Sequence, residues 1–552
     1  MHIFVTCFEP SFAILNSVLA SVHSHPPHRH SHLHRCSHGH VQCHGAGSEA
    51  SPTSQPTTTT PASKPGNAPL IDPKPEEFNY NPQDRLVWET GTTVLPGVGL
   101  GSHGPATDKV MLHEKLQKID GKYVYPDGDS RQNSAMAFAS AAITVNAFRE
   151  VFGEEMKWAF QYDKLLVRAH AGKDFNANYR RESGTVNFYE ELDPVRNAKV
   201  HSGASSDIVA HEVGHAILDA VRPEYFSSWG PEPAAFHESF GDMMSIHMAL
   251  RHDGVVARLL EQTGGDLRKQ NLVAQMGEEL GTGLNHVAGK DTTGGNYLRN
   301  AINDFRYADP SNIPSEKGGP NELGWGKHSM SRLWTGAHYD VLTAMVSERI
   351  KSGMDPAQAV KQSNEELFGM LVSMLRESPR GKFNFKDMAI AFIQADKLHH
   401  QGKRSELLQK VFTERNILPA DLPAEVLDVA ESRHQPRTSK PAGLFLSAES
   451  RAEENPVTQV QVKLGDGLGM FAGATVSVPV ASEEALLKSE HLQSSTESDI
   501  QRLVQAGRIR YNEPNYQMKY PQDYYNPKGD VYEGAVVWED GQMRIERLHV
   551  SC

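Results

Sequence analysis

The stretch that decides the fold is Asp207-Ile-Val-Ala-His211-Glu212-Val-Gly-His215-Ala-Ile-Leu-Asp219. Apolar residues recur through it at helical spacing, and the serines just ahead of it can cap the start of a helix. On a helix, His211 and His215 lie one turn apart and can share one metal ion. Glu212 follows the first histidine, where it can take a proton from an attacking water. Neutral imidazoles at this spacing suit zinc, so the stretch predicts a zinc site on a helix.

A second predicted helix, residues 232–251, supplies the rest of this site. A catalytic zinc ion needs a third protein ligand, and Glu238 follows His215 by 23 positions, which leaves room for a loop and a returning helix. Asp242, one helical turn further on, can accept the second N–H of a ligand histidine and fix its tautomer. The alternative for these two acidic residues is a solvated helix face. We favour the site, because both lie among aromatic residues and methionines, a poor setting for unpaired carboxylates.

These motifs together resemble the gluzincin metallopeptidases, and the thermolysin family most closely. Further stretches resemble that family in the right order; they are Phe175-Asn176-Ala177-Asn178-Tyr179, Leu298-Arg299 with Tyr307-Ala308-Asp309-Pro310, and Trp325-Gly326-Lys327-His328-Ser329-Met330-Ser331. The resemblance covers roughly residues 80–418. It implies an α+β, thermolysin-like fold of two lobes, with a β-rich N-terminal lobe, a helical C-terminal lobe and zinc in the cleft between them.

By this resemblance the protein is a zinc-dependent metalloendopeptidase that acts on peptide or protein substrates. His211, His215 and Glu238 hold one catalytic zinc ion. Glu212 is the general base for a zinc-activated water, and Asp242 orients a ligand histidine. We expect peptide hydrolysis at neutral pH that chelators abolish.

The resemblance also assigns residues that contact the substrate. Asn176 and Ala177 belong to an edge strand whose backbone pairs with the substrate peptide. Arg299 binds the substrate carbonyl beyond the cleaved bond. His328 stabilises the transition-state oxyanion; its alternative is a histidine at a helix start with no role. Tyr225, in the loop between the two ligand helices, is a further candidate for binding the oxyanion.

Three features depart from the family's pattern. Ala249 stands where the second ligand helix of the family carries an acidic calcium ligand, so the family's double calcium site is not carried over, although Asp207 is kept. His237 stands where the family has Asn before the ligand Glu. The segment before the body, residues 1–74, is too short and too polar to act as a long folding propeptide, which puts zymogen control in the family manner in question.

Three other interpretations stay open. A gluzincin fold that no longer cleaves would be a peptide-binding protein. A zinc aminopeptidase would need residues that hold a free amino terminus, and no Gly-x-Met-Glu-Asn-type run precedes His211. A histidine-rich metal carrier would depend on residues 23–44 alone.

Composition excludes several other functions. The net charge of the 552 residues is −13 and no segment forms a basic stripe, so we expect no nucleic-acid partner. Cysteines at positions 7, 36, 43 and 552 leave residues 44–551 with none, which excludes a disulfide scaffold and thiol catalysis there. No apolar run approaches the ~18 residues of a membrane span. The sequence predicts no oligomeric state.

Composition also divides the chain. We expect these segments: a disordered His-rich and Ser/Thr/Pro-rich leader (1–74), a β-rich lobe (75–204), a helical zinc-binding lobe (205–418), a linker (419–456) and a small acidic α+β appendage of unknown role (457–552). The leader holds nine histidines between His23 and His44, without a repeated ligand spacing. The compartment stays open. The resemblance favours export, whereas the leader lacks basic residues before its apolar stretch and the chain has no Asn-x-Ser/Thr sequon.

Overall fold

The computed structural model describes residues 71–153, 155–428, 457–481, 489–514, 516, 526–527, 532–548 and 550–551. The predicted leader lies outside these residues except for its last four positions, and so does most of the predicted linker. The described chain is an α+β protein. We call residues 71–428 the main body and the described residues of 457–551 the C-terminal module.

The strands are concentrated in the first part of the main body and return in the C-terminal module. In chain order they are β1 (Ile71–Tyr80), β2 (Gly91–Leu100), β3 (Pro105–Ala106), β4 (Val110–Leu112), β5 (Leu165–Arg168), β6 (Ala177–Arg180), β7 (Thr185–Phe188), β8 (Glu190–Asp193), β9 (Ala198–His201), β10 (Gln275–Met276), β11 (Arg299–Asn300), β12 (Val457–Lys463), β13 (Thr475–Ala481), β14 (Ile509–Arg510), β15 (Gly534–Glu539), β16 (Gln542–Arg547) and β17 (Val550–Ser551).

The helices dominate the main body from residue 206 onward. In chain order they are α1 (Ser130–Phe152), α2 (Ser206–Val221), α3 (Pro223–Phe226), α4 (Pro231–Ala249), α5 (Asp253–Thr263), α6 (Glu278–Ala288), α7 (Lys327–Lys351), α8 (Pro356–Glu377), α9 (Phe385–His399), α10 (Ser405–Glu414) and α11 (Ser489–Gln505). None of these helices is both long enough and apolar enough to cross a membrane.

The long helix α1 begins and ends where its sequence predicts. The carboxylate of Asp129 accepts a hydrogen bond from the backbone N–H of Arg131 and so caps the first turn. Gly153 ends the helix in the left-handed conformation, at φ 70°, which glycine adopts without strain. Its many alanines are buried, which lets the helix pack closely between the first sheet and the later helices. The alanine-rich composition of residues 133–152 predicts a buried helix that ends near Gly153, and the structure confirms it.

The largest sheet has the strand order β1-β2-β3-β4-β5-β7-β6-β17. Its first seven strands belong to the main body, whereas β17 comes from the C-terminal module. β6 pairs antiparallel with β7 on one side, and on its other side with β17. The strand β6 would therefore form the edge of this sheet without the end of the chain.

Two hydrophobic cores hold the described chain together. One runs through the main body from Phe78 to Leu427 and contains α1, α2, α4 and α7. The other belongs to the C-terminal module, whose five-stranded sheet has the order β12-β13-β16-β15-β14. The aromatic side chain of Trp229, from the loop before α4, belongs to this second core. The two cores are thus joined by a residue of the main body.

Candidate metal centre

Three predicted ligands meet at one point. Nitrogen atoms of His211 and His215, on α2, and a carboxylate oxygen of Glu238, on α4, all lie within 4.8 Å of one another. All three side chains are buried. The helical spacing of four residues places both imidazoles on the face of α2 that packs against α4. The structure therefore brings together the three residues that the sequence predicts as ligands.

Two glycines allow the ligand helices to approach this closely. A Cβ atom on Gly214 of α2 would lie 3.1 Å from the Cα of Gly241 on α4. A Cβ atom on Gly241 would lie 2.5 Å from the ring of His211. Real Cβ atoms do not approach other atoms as closely as 2.5 Å, so a side chain at Gly241 would displace the His211 ring, whereas one at Gly214 would push the two helices slightly apart. The position of the His211 ring therefore depends on a glycine of the partner helix.

Each ligand histidine has a partner for its other nitrogen. His211 Nδ1 lies 3.0 Å from Asp242 Oδ1, as the spacing on the second helix predicts. Thr335 on α7 donates a hydrogen bond of 3.0 Å to the other oxygen of Asp242. His215 Nδ1 lies 3.0 Å from Nδ1 of His237, the residue that departs from the family's asparagine. These contacts fix both rings, as ligand histidines require.

His237 can serve as an acceptor because it stays neutral. It is buried, and burial lowers its pKa to about 3. If His215 donates from Nδ1, its Nε2 carries the lone pair that a metal ion needs. His237 then carries its own proton on Nε2, which has no hydrogen-bond partner among the described residues. The tautomers of the two rings are therefore coupled.

Glu212 lies beside the three ligands and is completely buried. Neither of its carboxylate oxygens has a hydrogen-bond partner in the part of the chain that the structure describes. Burial raises its pKa to about 8; the charge of Glu238 adds to this effect, while His211 and Arg299 oppose it. A buried carboxylate with free lone pairs next to a candidate metal centre is suited to accept and release a proton.

Cationic side chains surround Glu238. His328 Nε2 and Lys327 Nζ, at the start of α7, lie 3.3 and 3.4 Å from Glu238 Oε1. Arg299 Nη1 lies 3.3 Å from Glu238 Oε2. Burial alone would raise the pKa of Glu238, but the charges of His328, Lys327 and His215 hold it well below its usual range. Glu238 is therefore an anion, which is the form in which a carboxyl group binds a metal ion.

Arg299 contacts the ligands themselves. Its Nη2 lies 3.1 Å from His211 Nε2, and its Nε lies 3.2 Å from Asp242 Oδ1. Burial and the Arg299 guanidinium disfavour a charged His211, but Asp242 and Glu238 outweigh them and raise the pKa of His211 to about 9. The surroundings of the His211 ring thus favour a positive charge at this point. Only the neutral form of His211 has a lone pair on Nε2, and in that form a metal ion and Arg299 Nη2 would compete for it.

The predicted substrate strand lies next to the metal helix. Ala177 is the first residue of β6 and pairs with Phe188 of β7, and the buried Asn176 precedes it. Two residues further on, the hydroxyl of Tyr179 donates a hydrogen bond of 2.7 Å to Asp219 at the end of α2. The structure therefore attaches β6 to the helix that carries His211 and His215.

The structure does not bring the hydroxyl of Tyr225 to the three ligands. Tyr225 lies on α3 and is buried. Its hydroxyl lies 2.7 Å from Ser378 Oγ and 2.7 Å from the carbonyl oxygen of Pro379. A hydroxyl has one proton, so Tyr225 would have to break this contact to donate to an oxyanion. Tyr225 lines the same cavity as Glu238, while its hydroxyl holds the loop after α8; its role in binding the oxyanion stays a prediction.

Sequence reasoning missed a second group of the same chemical type. His170, Glu190 and His201 also offer three ligand atoms within 4.8 Å of one another. His201 Nε2 lies 2.8 Å from Glu190 Oε2, and Lys199 Nζ lies 2.8 Å from the other oxygen of Glu190. Their spacing along the chain carries no metal-binding signature, because the pairing of β8 with β9 brings Glu190 to His201, and His170 joins them from the segment after β5. Lys327 was missed as well, although it directly precedes His328.

Acidic residues also cluster around Asp207 at the start of α2. Burial raises the pKa of Asp84 to about 6 and that of Asp207 and Glu278 well above the usual range; the charge of Asp84 adds to the effect at Asp207 and Glu278, and that of Glu279 to the effect at Asp84. Ala249 borders the same small cavity as Asp207 without adding a carboxylate. Whether a calcium ion binds here stays a prediction from the sequence.

The residues at the first cluster fit a divalent metal ion. His215 Nε2 is a buried atom without a hydrogen bond within the described residues, and Glu238 Oε1 has ion-pair contacts with Lys327 and His328 but no hydrogen bond there. Two imidazoles and one carboxylate are the ligand set of many catalytic zinc sites. The arrangement can therefore hold a metal ion with a proton acceptor, Glu212, beside it. No protein-family model matches the chain, and no curated protein matches it either.

Proposed function

We propose that the chain is a zinc-dependent metalloendopeptidase of the thermolysin-like gluzincin type. The observation that carries the proposal is the meeting of His211, His215 and Glu238 within 4.8 Å, next to the buried carboxylate of Glu212. A structural zinc site uses four protein ligands, whereas a catalytic site uses three and leaves a position for water or substrate. Three ligands plus a neighbouring base favour hydrolysis.

The arrangement of elements supports the same proposal. The strand-rich part of the main body, which contains β6, ends with β9, and the helical part begins with α2. The candidate centre lies on α2 and α4, and a hydrogen bond from Tyr179 to Asp219 joins the strand β6 to α2. We infer a two-lobed fold with the centre between the lobes and a peptide in extended conformation along β6.

In this mechanism each residue has one task. His211, His215 and Glu238 would hold the zinc ion, which when bound polarises the scissile carbonyl and acidifies the attacking water. Glu212 would take the proton of that water and return it to the leaving amine.

Two residues would act on the substrate. His328, at the start of α7, would donate a hydrogen bond to the oxyanion that develops on the carbonyl. Arg299 would release His211 Nε2 and keep its contact with Asp242, so that its guanidinium can bind a substrate carbonyl.

The decisive experiment is Glu212→Gln in the full chain. We expect hydrolysis of casein and of a quenched peptide library to fall about 10²–10⁴-fold, because a proton acceptor is lost, with zinc content unchanged. Glu261→Gln is the matched control, since Glu261 is an exposed residue of α5. Zinc is best counted in a His170→Ala background, which removes the second candidate group. Wild-type hydrolysis by zinc-loaded Glu212→Gln would refute the proposal.

A second candidate is a gluzincin fold that binds peptides without cleaving them. The observation that favours it is the 3.1 Å contact of Arg299 Nη2 with His211 Nε2, the atom that zinc requires. In that case wild-type protein would hold no zinc at the first cluster and would hydrolyse nothing. Zinc content and hydrolysis, measured on the same wild-type sample, separate the two candidates.

A further inference from the structure

The end of the C-terminal module occupies the edge of the main-body sheet. β17 pairs antiparallel with β6, with Val550 opposite Arg180 and Ser551 opposite Tyr179. The other edge of β6 is already taken by β7. An edge strand presents unpaired N–H and C=O groups, and extended peptides bind proteins by adding to such an edge. The chain's own end therefore takes the position that a bound peptide would need.

The residues that lead into β17 pass the candidate metal centre. Arg547 and Leu548 border the same cavity as Glu238 and Lys327. The hydroxyl of Tyr179 on β6 donates a hydrogen bond to Asp219 on α2, the helix that carries His211 and His215. The candidate metal centre and the edge of β6 are therefore neighbours. The final segment thus borders the ligand Glu238 and occupies the edge of β6, two features that peptide cleavage requires.

The remainder of the C-terminal module is anchored on three separate loops of the main body. The indole N–H of Trp229 donates a hydrogen bond of 3.0 Å to the carbonyl oxygen of Ser477. Lys382 Nζ lies 2.5 Å from Asp499, of which only 6% of the side chain is exposed. A third anchor is an ion pair of 2.6 Å, formed by Arg508 and Glu316. Contacts on three loops fix the position of the module, and with it the path of its last strand.

We propose that the C-terminal module is an intramolecular inhibitor, whose last strand takes the place of a substrate peptide along β6. The proposal rests on the proposed peptidase function and adds its regulation. An attached strand has an effective concentration near the millimolar range, so weak contacts suffice to keep the edge occupied. The inhibition is competitive with peptides that bind in extended conformation, and displacement or removal of the strand activates the enzyme.

The test uses two double variants of the full chain. Val550→Pro with Ser551→Pro removes the backbone N–H groups that β17 can offer to β6. Val550→Ala with Ser551→Ala keeps them and is the matched control. We expect the proline variant to cleave a quenched peptide library with kcat/KM raised at least about tenfold, and the alanine variant to stay as inhibited as wild type. Equal kcat/KM of active wild-type and proline proteins would overturn the proposal.

A binding measurement separates failure of this proposal from failure of the proposed function. In a Glu212→Gln background, anisotropy of fluorescein-labelled casein reports peptide binding without cleavage. We expect the proline variant to bind at least about tenfold more tightly than the alanine variant. If no variant cleaves anything but this difference appears, the proposed catalysis fails while occlusion of β6 stands. If binding is equal in both, the inhibitory role is overturned, whatever the hydrolysis.

Discussion

At the scale of single residues, the two ligand histidines are held in different ways. His211 faces the carboxylate of Asp242, whereas His215 faces the neutral imidazole of His237. A carboxylate partner makes a ligand imidazole more basic, and a neutral acceptor does so less. His237 still matters, because without an acceptor on Nδ1 the proton of His215 could move to Nε2 and remove the ligand lone pair.

This argument predicts that His237 positions His215 for metal binding. We expect His237→Leu to weaken zinc binding at the first cluster about 10–100-fold, because the acceptor is lost. His237→Asn should retain most of the affinity, since its side-chain oxygen can accept the same hydrogen bond. A chelator-competition titration in the His170→Ala background measures both. His252→Leu, a partly buried histidine away from the ligands, is the control. Equal affinities of the Leu and Asn variants would contradict a role in hydrogen bonding.

The sequence predicts the ligands better than it predicts their neighbours. A spacing of four on one helix places His211 and His215 together whatever the rest of the chain does. Lys327 could not be found in this way, because its contact with Glu238 depends on how the start of α7 meets α4. The partners of the Tyr225 hydroxyl could not be found for the same reason, since they come from the distant loop after α8.

At the scale of elements, several buried acidic side chains from different parts of the chain meet at the start of α2. Asp84 accepts a hydrogen bond from the backbone N–H of Leu86 on one oxygen, while its other oxygen has no partner among the described residues. The charge of Glu279 raises its pKa further, although burial is the main cause. A folded-state pKa of about 6 lies above the usual 3.8, so the protonated form is favoured by folding.

The sign of the resulting pH dependence follows from linkage. A carboxyl whose pKa is raised on folding contributes stability at low pH, and this contribution is lost as the pH rises through about 6. We expect Asp84→Asn to raise the free energy of unfolding by about 3 kcal/mol at pH 8 and by about half as much at pH 5, because the loss begins at the unfolded pKa of 3.8. Chemical denaturation in EDTA at both values measures this, with the exposed Asp421→Asn as control.

The same denaturation experiment tests whether the acidic side chains at the start of α2 bind a calcium ion. In EDTA no divalent ion can neutralise the carboxylates, so the gain from Asp84→Asn should be largest there. If added calcium stabilises wild type and abolishes the advantage of Asp84→Asn at pH 8, the cluster binds the ion. A variant that is less stable than wild type at pH 8 in EDTA would contradict the repulsion argument.

Most elements were predictable because local patterns specify them. The sequence predicts helices over residues 385–398 and 405–415 and, from β-branched and aromatic content, strands over 164–170 and 185–189; α9, α10, β5 and β7 confirm them within a few residues. The position of β17 was not predictable, since two residues carry no periodic pattern and their partner strand, β6, lies some 370 positions away along the chain. Pairing at that distance is decided by the docking of the whole module.

At the scale of the whole molecule, the two cores meet at Trp229. Its ring is 4% exposed and belongs to the core of the C-terminal module, although the residue itself is part of the main body. The guanidinium of Arg547 lies 5.2 Å from the ring centroid, and Gly534 is so close that a Cβ atom there would lie 2.9 Å from the indole. The module therefore completes its core with a residue that it does not contain.

This sharing predicts that the two parts unfold together in wild type and separately in Trp229→Ala. Truncating a buried tryptophan costs about 3–5 kcal/mol, and here the loss falls on the module, whose core is the smaller one. Differential scanning calorimetry should show one transition for wild type and an additional, earlier one for Trp229→Ala. Trp88→Ala, which removes a partly buried ring packed on the main-body core, should lower the main transition without splitting it. A single, unshifted transition in Trp229→Ala would show that the anchors at Lys382 and Arg508 hold the module without the shared tryptophan.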